Sequence, residues 1–313
     1  MRLLPATPNT FLRMKQGSSR RLIEALTIIL FLLPALALFL LFVIYPIFQS
    51  IYYSLFDWKG LGPAEEFIGL DNFKSILGDQ VFIIALRNAA LLIVFSLLIQ
   101  LPLSLVLAVM VGRDLPGRVF FRAVFFMPYV ISEVITAIMW SFLYNPNPNR
   151  GFINAVIALL GGDPQPWLGD TTLVLPSLFI ALTWKYFGFH MLLYLAGLQN
   201  IPHEIEEAGR MDGANALQNF FYITLPLLRS TLQTSVYLSV LGSIQQFILV
   251  WIMSKGGPVN ASETLATYMI RFGFVRFQLG YASAVALYMF ILCLAFSLLY
   301  QRLTREPDDL SGL

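Results

Sequence analysis

Eight side chains stand out because their chemistry does not belong in the apolar runs that contain them. Glu133 and Lys185 are charges set deep inside stretches of hydrophobic residues. A charge in such a place is costly, so it faces a cavity, a ligand or an opposite charge. Tyr129 lies four residues before Glu133 and shares its face if the segment is helical. Tyr186 and Phe189 sit beside Lys185, while Ser239, Ser243 and Gln246 recur at i, i+4 and i+7, again one helical face. Hydroxyls, an amide, a carboxylate, an ammonium and aromatic rings together suit a sugar, whose C–H surfaces stack on rings while its hydroxyls meet polar groups. Plainer readings stand beside this one. Glu133 and Lys185 equally form an internal pair, and Ser239 and Ser243 equally serve close helix packing. Gln245 is expected to point elsewhere and bond another helix, and His190 to be a satisfied packing residue. No carboxylate pair, metal-spaced His and Cys set or Ser–His–Asp arrangement accompanies them, which argues against an enzyme.

The elements that must position these groups follow from composition. The 313 residues are 58% hydrophobic and 12% charged, with a mean hydropathy of +0.73. A soluble domain carries about 25% charged residues. Lipid is therefore the solvent for much of the surface. Uncharged or nearly uncharged runs cover 25–56, 88–112, 123–149, 171–203, 230–254 and 277–301. Each exceeds the roughly 20 residues a helix needs to cross about 30 Å of hydrocarbon. The expected fold is an all-α integral membrane protein with six transmembrane helices. Residues 1–24 and 303–313 are read as tails flanking a membrane domain over 25–302. The first run is too long for a signal-peptide core and reads as a retained helix.

Basic residues set the expected orientation. Arg2, Arg13, Lys15, Arg20, Arg21, Arg113, Arg118, Arg122, Arg210, Arg229, Arg302 and Arg305 put twelve on one side, against seven on the other. Both termini are accordingly expected in the cytoplasm. Three segments, 57–87, 145–170 and 255–276, then face outward, with Trp58 and Trp167 as interfacial rings. A net charge of +2 without a basic block gives no case for nucleic acid. The sole cysteine, Cys293, lies in an apolar run, has no intrachain disulfide partner and reads as a small buried hydrophobe.

The longest inward connection, 200–229, is organised. Pro202 is expected to open a helix at its first turn, and Glu204, Glu206 and Glu207 lie near the positive end of its dipole. Gly213 permits a tight bend, an amphipathic stretch with Leu217, Phe220 and Phe221 follows, and Pro226 closes it. The product is a helix–turn–helix across the membrane face, either a docking surface or a plain interfacial helix.

The pattern Glu207-Ala208-Gly209, three residues, Gly213, nine residues, Ile223-x-Leu225-Pro226 resembles the EAA loop of binding-protein-dependent ABC importers. The usual third residue is Ala; here Gly209 stands in its place with the spacing intact. Phe67-Ile68-Gly69-Leu70-Asp71-Asn72-Phe73, Ala196-Gly197-Leu198-Gln199-x-Ile201-Pro202 and Asp212-Gly213-Ala214 are also similar to carbohydrate permeases of that family. Gly256-Gly257-Pro258 with Glu263-Thr264-Leu265 looks like the maltose-type F subunit or its glycerol-phosphate counterpart.

The resemblance implies the importer permease fold, located in a bacterial cytoplasmic membrane. It implies a coupling helix carried by Glu206, Glu207, Ala208, Gly209, Asp212 and Gly213, inserted into a cleft of an ATPase. No Gly-x4-Gly-Lys-Ser/Thr occurs in the chain, so it should bind no cofactor of its own. ATP and Mg would be held by a partner ABC ATPase dimer. The other implied partners are a second homologous permease and an external solute-binding protein, all working in the lipid bilayer. In maltose-type relatives the third, fourth and fifth spans line the sugar site, which matches the eight residues above. The cargo is expected to be a di- or oligosaccharide, with glycerol phosphate or another polyol as the alternative. An ion-coupled secondary transporter would show repeat symmetry, and no repeat relates the two halves of this chain.

Overall fold

A computed structural model describes residues 26–112 and 117–304. The tail residues whose charges bear most on orientation (Arg2, Arg13, Lys15, Arg20, Arg21 and Arg305) lie outside them, as does Arg113. Among the described residues the structure is helical, with a single isolated bridge between Phe56 and Phe67. Five helices are long and apolar enough to cross a membrane: α1 (Leu26–Tyr53), α3 (Gln80–Gly112), α7 (Val174–Gln199), the α10–α11 span (Arg229–Met253) and α13 (Leu279–Thr304). The expected third span is not one rod. It is α4 (Arg118–Val130) and α5 (Glu133–Leu143), bent by 95°. Shorter helices fill the connections: α2 (Asp71–Gly78), α6 (Phe152–Leu159), α8 (His203–Met211), α9 over 216–227 and α12 (Leu265–Val275).

Proline explains most of the local irregularity. Pro46, Pro102 and Pro226 each come two residues after a five-residue π segment, Leu40–Ile44, Ser96–Gln100 and Phe220–Thr224. A proline ring collides with the carbonyl four residues back in a regular α-helix. Widening the preceding turn to i→i+5 bonding removes that collision without ending the helix. Tyr45, Leu101 and Leu225 close those wide turns onto Leu40, Ser96 and Phe220. The second broken span needs no proline: the helix stops at Ile244, and Gln245 to Phe247 cross in non-helical backbone to α11 (Ile248–Met253). The first part, Arg229–Ile244, is α10.

Packing is uneven along the chain. α7 is the central post, with buried residues along its whole length, whereas the apolar window of α1 has none. One core joins Trp140 of α5 and Tyr144, which caps it, to Leu178 and Leu182 of α7 and to Leu249 and Val250 of α11. A second joins Phe82 and Ala85 of α3 to Tyr268 of α12 and Val285 of α13. α4 crosses α7 at Gly188, where an added Cβ would lie 2.0 Å from the carbonyl oxygen of Phe125. Only hydrogen fits there. Gly188→Ala must push two helices apart, at about 1–3 kcal/mol for an overpacked interior site. A lower thermal transition of the purified protein checks this, and an unchanged one would mean that the crossing is looser.

The segment before α12 is pinned from several sides. Buried Glu263 pairs with Arg271 at 2.6 Å, and Arg271 also donates to the Lys255 carbonyl. Asn88 Nδ2 donates to the carbonyls of Ala261 and Glu263, and the Tyr268 hydroxyl donates to Asp79. Gly256 has φ +80°, and a side chain there would meet the Glu263 carboxylate. The Gly256-Gly257-Pro258 and Glu263-Thr264-Leu265 motifs thus belong to one folded unit, in which Thr264 caps α12 through a capping box with Thr267. Trp58 stacks on Tyr53 and donates to Gly62, and Trp167 donates to Asn154.

Candidate functional site

The two breaks face the same space. Helix α4 ends at Val130, where backbone carbonyls lose their intrahelical donors. Lys185, reaching from α7, supplies the missing hydrogens: its Nζ donates to the carbonyls of Pro128 at 3.1 Å, Tyr129 at 2.8 Å and Ile131. Lys185 is only 4% exposed, and its ammonium lies 5.5 Å above the Tyr129 ring. Its charge meets the negative end of the α4 dipole. Glu133 opens α5 beyond the bend, at the positive end of that helix. The two intramembrane charges thus stabilise opposite lips of one break. Among the described residues they form no direct ion pair; Glu133 Oε1 instead accepts from Gln246 Nε2 at 2.9 Å. That bond joins the break in α4–α5 to the break in α10–α11.

A cavity of about 410 Å³ opens beside this joint. Seven of the eight residues singled out in the sequence line it: Tyr129, Glu133, Tyr186, Phe189, Ser239, Ser243 and Gln246. Lys185 does not; it stands behind the wall as the cap of α4. The aromatic face is built by Tyr129, stacked on Phe189 at 4.9 Å, with Tyr186 set edgewise against Tyr129. The hydroxyl side comes from Ser239, which shares a 2.6 Å hydrogen bond with Ser96, and from Ser243, which donates to the Ser239 carbonyl. Gln246 is held in turn, since its carbonyl accepts from Thr264.

Four polar lining residues stood outside that set. Ser96 and Gln100 lie on the π segment of α3, where the Ser96 hydroxyl donates to Gln100 Oε1. With Ser104 they recur every four residues through an apolar run, a signal that the sequence carried. His190 shares a 2.7 Å hydrogen bond with Ser235, which fits the packing role expected of it, and also reaches the lining. Gln245 both lines the cavity and donates weakly to Cys293 on α13 at 3.6 Å. Cys293 is half-buried.

The second candidate face is the α8–α9 hairpin. Pro202 occupies the N-cap position, one residue before the expected place at the first turn. Gly213 has φ +90° and turns the chain toward α9, which opens with a capping box between Asn215 and Gln218. Two of the six residues assigned to coupling face inward. Glu206 accepts from Thr224 at 3.2 Å while its carbonyl accepts from Asn219. Gly209 is buried so tightly that a Cβ would lie 2.4 Å from Ile223 Cδ1. The departure from Ala at that position therefore matches a close helix–helix approach. Glu207, Ala208, Asp212 and Gly213 are exposed, beside the exposed apolar side chains of Met211, Leu217 and Tyr222.

Known proteins share both the sequence and this architecture. The chain is 38% identical over 284 residues to the probable ABC transporter permease protein YurN of Bacillus subtilis, covering 90% of this chain and 96% of that one. It is 34% identical over 283 residues to the diacetylchitobiose uptake system permease protein NgcF of Streptomyces coelicolor, covering 86% and 79%. A chain of a bacterial alginate ABC transporter, solved in complex with an alginate pentasaccharide-bound periplasmic protein, superposes with a TM-score of 0.81 over 91% of this chain and 96% of that one, at 23% identity. At that identity the likeness speaks for the fold alone. Residues 100–307 match the family model for binding-protein-dependent transport system inner membrane components, a stretch that holds the α8–α9 hairpin and the cavity lining from Gln100 onward, and the chain belongs to that family.

Proposed function

We propose that this chain is one permease subunit of an ATP-driven importer and forms half of an alternating-access path for a di- or short oligosaccharide. One observation carries this reading: two broken spans bring Glu133, Gln246, Ser239 and Ser243 to a single cavity, facing the rings of Tyr129 and Phe189. The mixture fits a pyranose, with a ring face for C–H groups and hydroxyl, amide and carboxylate groups for its oxygens. The cavity volume is in the range of about 300–1,000 Å³ usual for small-molecule sites. The disaccharide in the name of the Streptomyces relative supports the same cargo class. Lys185 acts as the pin that keeps the α4–α5 bend in shape, a positioning role.

The remaining parts follow from the family. A second permease would complete the path, and an external binding protein would deliver the sugar. A pair of ATPase subunits holding ATP and Mg would close on α8, through Glu207, Ala208, Asp212 and Gly213. Both termini then lie on the ATPase side. Closure of the ATPase pair would rock the two permeases and turn the cavity from one side to the other.

Phe189→Ala tests the sugar path. In proteoliposomes carrying the complete assembly, uptake of labelled diacetylchitobiose and maltotriose should fall by about tenfold, equal to ~1.4 kcal/mol of lost interaction. Undiminished uptake of a transported sugar would remove the aromatic face from the path.

A further inference from the structure

We infer that Glu133 makes this chain's wall of the path a charge filter, admitting neutral and ammonium-bearing sugars and rejecting carboxylated or phosphorylated ones. The inference rests on the sugar-path reading above and narrows its substrate class. Among the described residues that line the cavity, Glu133 is the single formally charged side chain. The other intramembrane charge is unavailable to a solute. Lys185 is buried, absent from the lining, and directs its ammonium at three backbone carbonyls.

The arrangement is asymmetric for a structural reason. A broken helix creates one positive and one negative end, and each needs an opposite charge. Lys185 meets the negative end of α4 from behind the wall, inside the α4–α7 contact that Gly188 makes close. Glu133 meets the positive end of α5 from the cavity side, half-buried, with the Tyr186 hydroxyl near its carboxylate and Gln246 donating to Oε1. Both dipole ends are satisfied, yet only the negative group faces the path. The remaining polar lining, Ser243 and Gln245 among it, offers dipoles without charge, and His190 is tied to Ser235. A carboxylate or phosphate entering here would meet like charge in poorly screened surroundings with no cation to offset it. An amino sugar would meet a ready counter-charge.

The test reads the local charge without needing the natural cargo. Gly242 lines the cavity, and an added Cβ there meets nothing within 4 Å. In the complete importer, with Cys293→Ala removing the chain's one native cysteine, Gly242→Cys is reacted with three methanethiosulfonates: one bearing trimethylammonium, one bearing sulfonate, and one uncharged. Rates are followed on this chain at about pH 8, where imidazole is neutral, and the charged reagents are normalised to the uncharged one. The cationic reagent should react faster than the anionic one, and E133Q should reduce that preference by about tenfold, the scale of one nearby charge. The amide can still accept from Gln246, and the uncharged reagent reports whether the cavity keeps its shape. A cation preference unchanged by E133Q overturns the filter and leaves the sugar path standing. If the uncharged reagent does not react at Gly242→Cys, no aqueous path runs past this wall, and the sugar-path reading fails with the filter.

Discussion

Replacing Glu207 with lysine is expected to leave the assembled importer hydrolysing ATP while sugar uptake falls at least tenfold. Glu207 lies exposed on α8, and among the described residues it has no hydrogen-bond or ionic partner. Its neighbour Glu206 differs, being committed to Thr224 and, at 4.0 Å, to Arg210. A free carboxylate between exposed apolar groups such as Met211 is the pattern of an interface anchor. Reversing one charge at a desolvated contact costs about 2–5 kcal/mol, enough to detach the ATPase stroke from the cavity. ATPase rate and uptake measured together on the same proteoliposomes decide the matter. Uptake that stays in proportion to hydrolysis would show that Glu207 lies outside the coupling contact.

Lys185→Met should be the most damaging single change in the membrane region, and its damage should be to folding. It strips donors from three carbonyls at the α4 terminus at once. Each orphaned group costs about 1–3 kcal/mol, and all three lose their donor together. The expected result is a protein that melts many degrees lower or fails to assemble with its partners. A substrate-contacting lysine would behave in another way: Lys185→Met would then fold and melt normally and lose only sugar affinity. Thermal unfolding of the purified assembly, compared with its uptake, separates the two.

The apolar runs placed the long helices because burying uncharged stretches in lipid leaves little choice. The ends were harder. Arg87 bounded the second run at 88, yet α3 begins at Gln80, since an exposed arginine near a helix end costs the helix nothing. The 95° bend at Ile131 and Ser132 was not legible, because Pro128 has the same appearance in kinked and straight membrane helices. Without the bend, Lys185 could be read only as a partner of Glu133 or of a solute. The structure shows a third use, capping.

The cavity face was legible where polar residues recur at helical spacing. Ser239, Ser243 and Gln246 fit the period of one face, but Gln246 lies beyond the end of α10, and the break delivers it to Glu133. The break itself, Gln245 to Phe247, contains no Gly or Pro, and Gly242 just before it is helical, so composition gave little warning. Ser96 and Gln100 had the same four-residue spacing and belonged in the same reading. Along the α8–α9 loop, spacing identified the hairpin, while only packing separates inward Glu206 and Gly209 from outward Glu207 and Asp212.

Alternating access would make this cavity a solute path turned from one membrane face to the other by ATP through α8. The measurement closest to it is the sidedness of labelling of Gly242→Cys by a membrane-impermeant thiol reagent, in oriented vesicles holding the full assembly. Reaction is expected from the α8 side without nucleotide and from the opposite side once ATP is bound and the ATPase pair is trapped closed. Labelling from the same side in both states would contradict it.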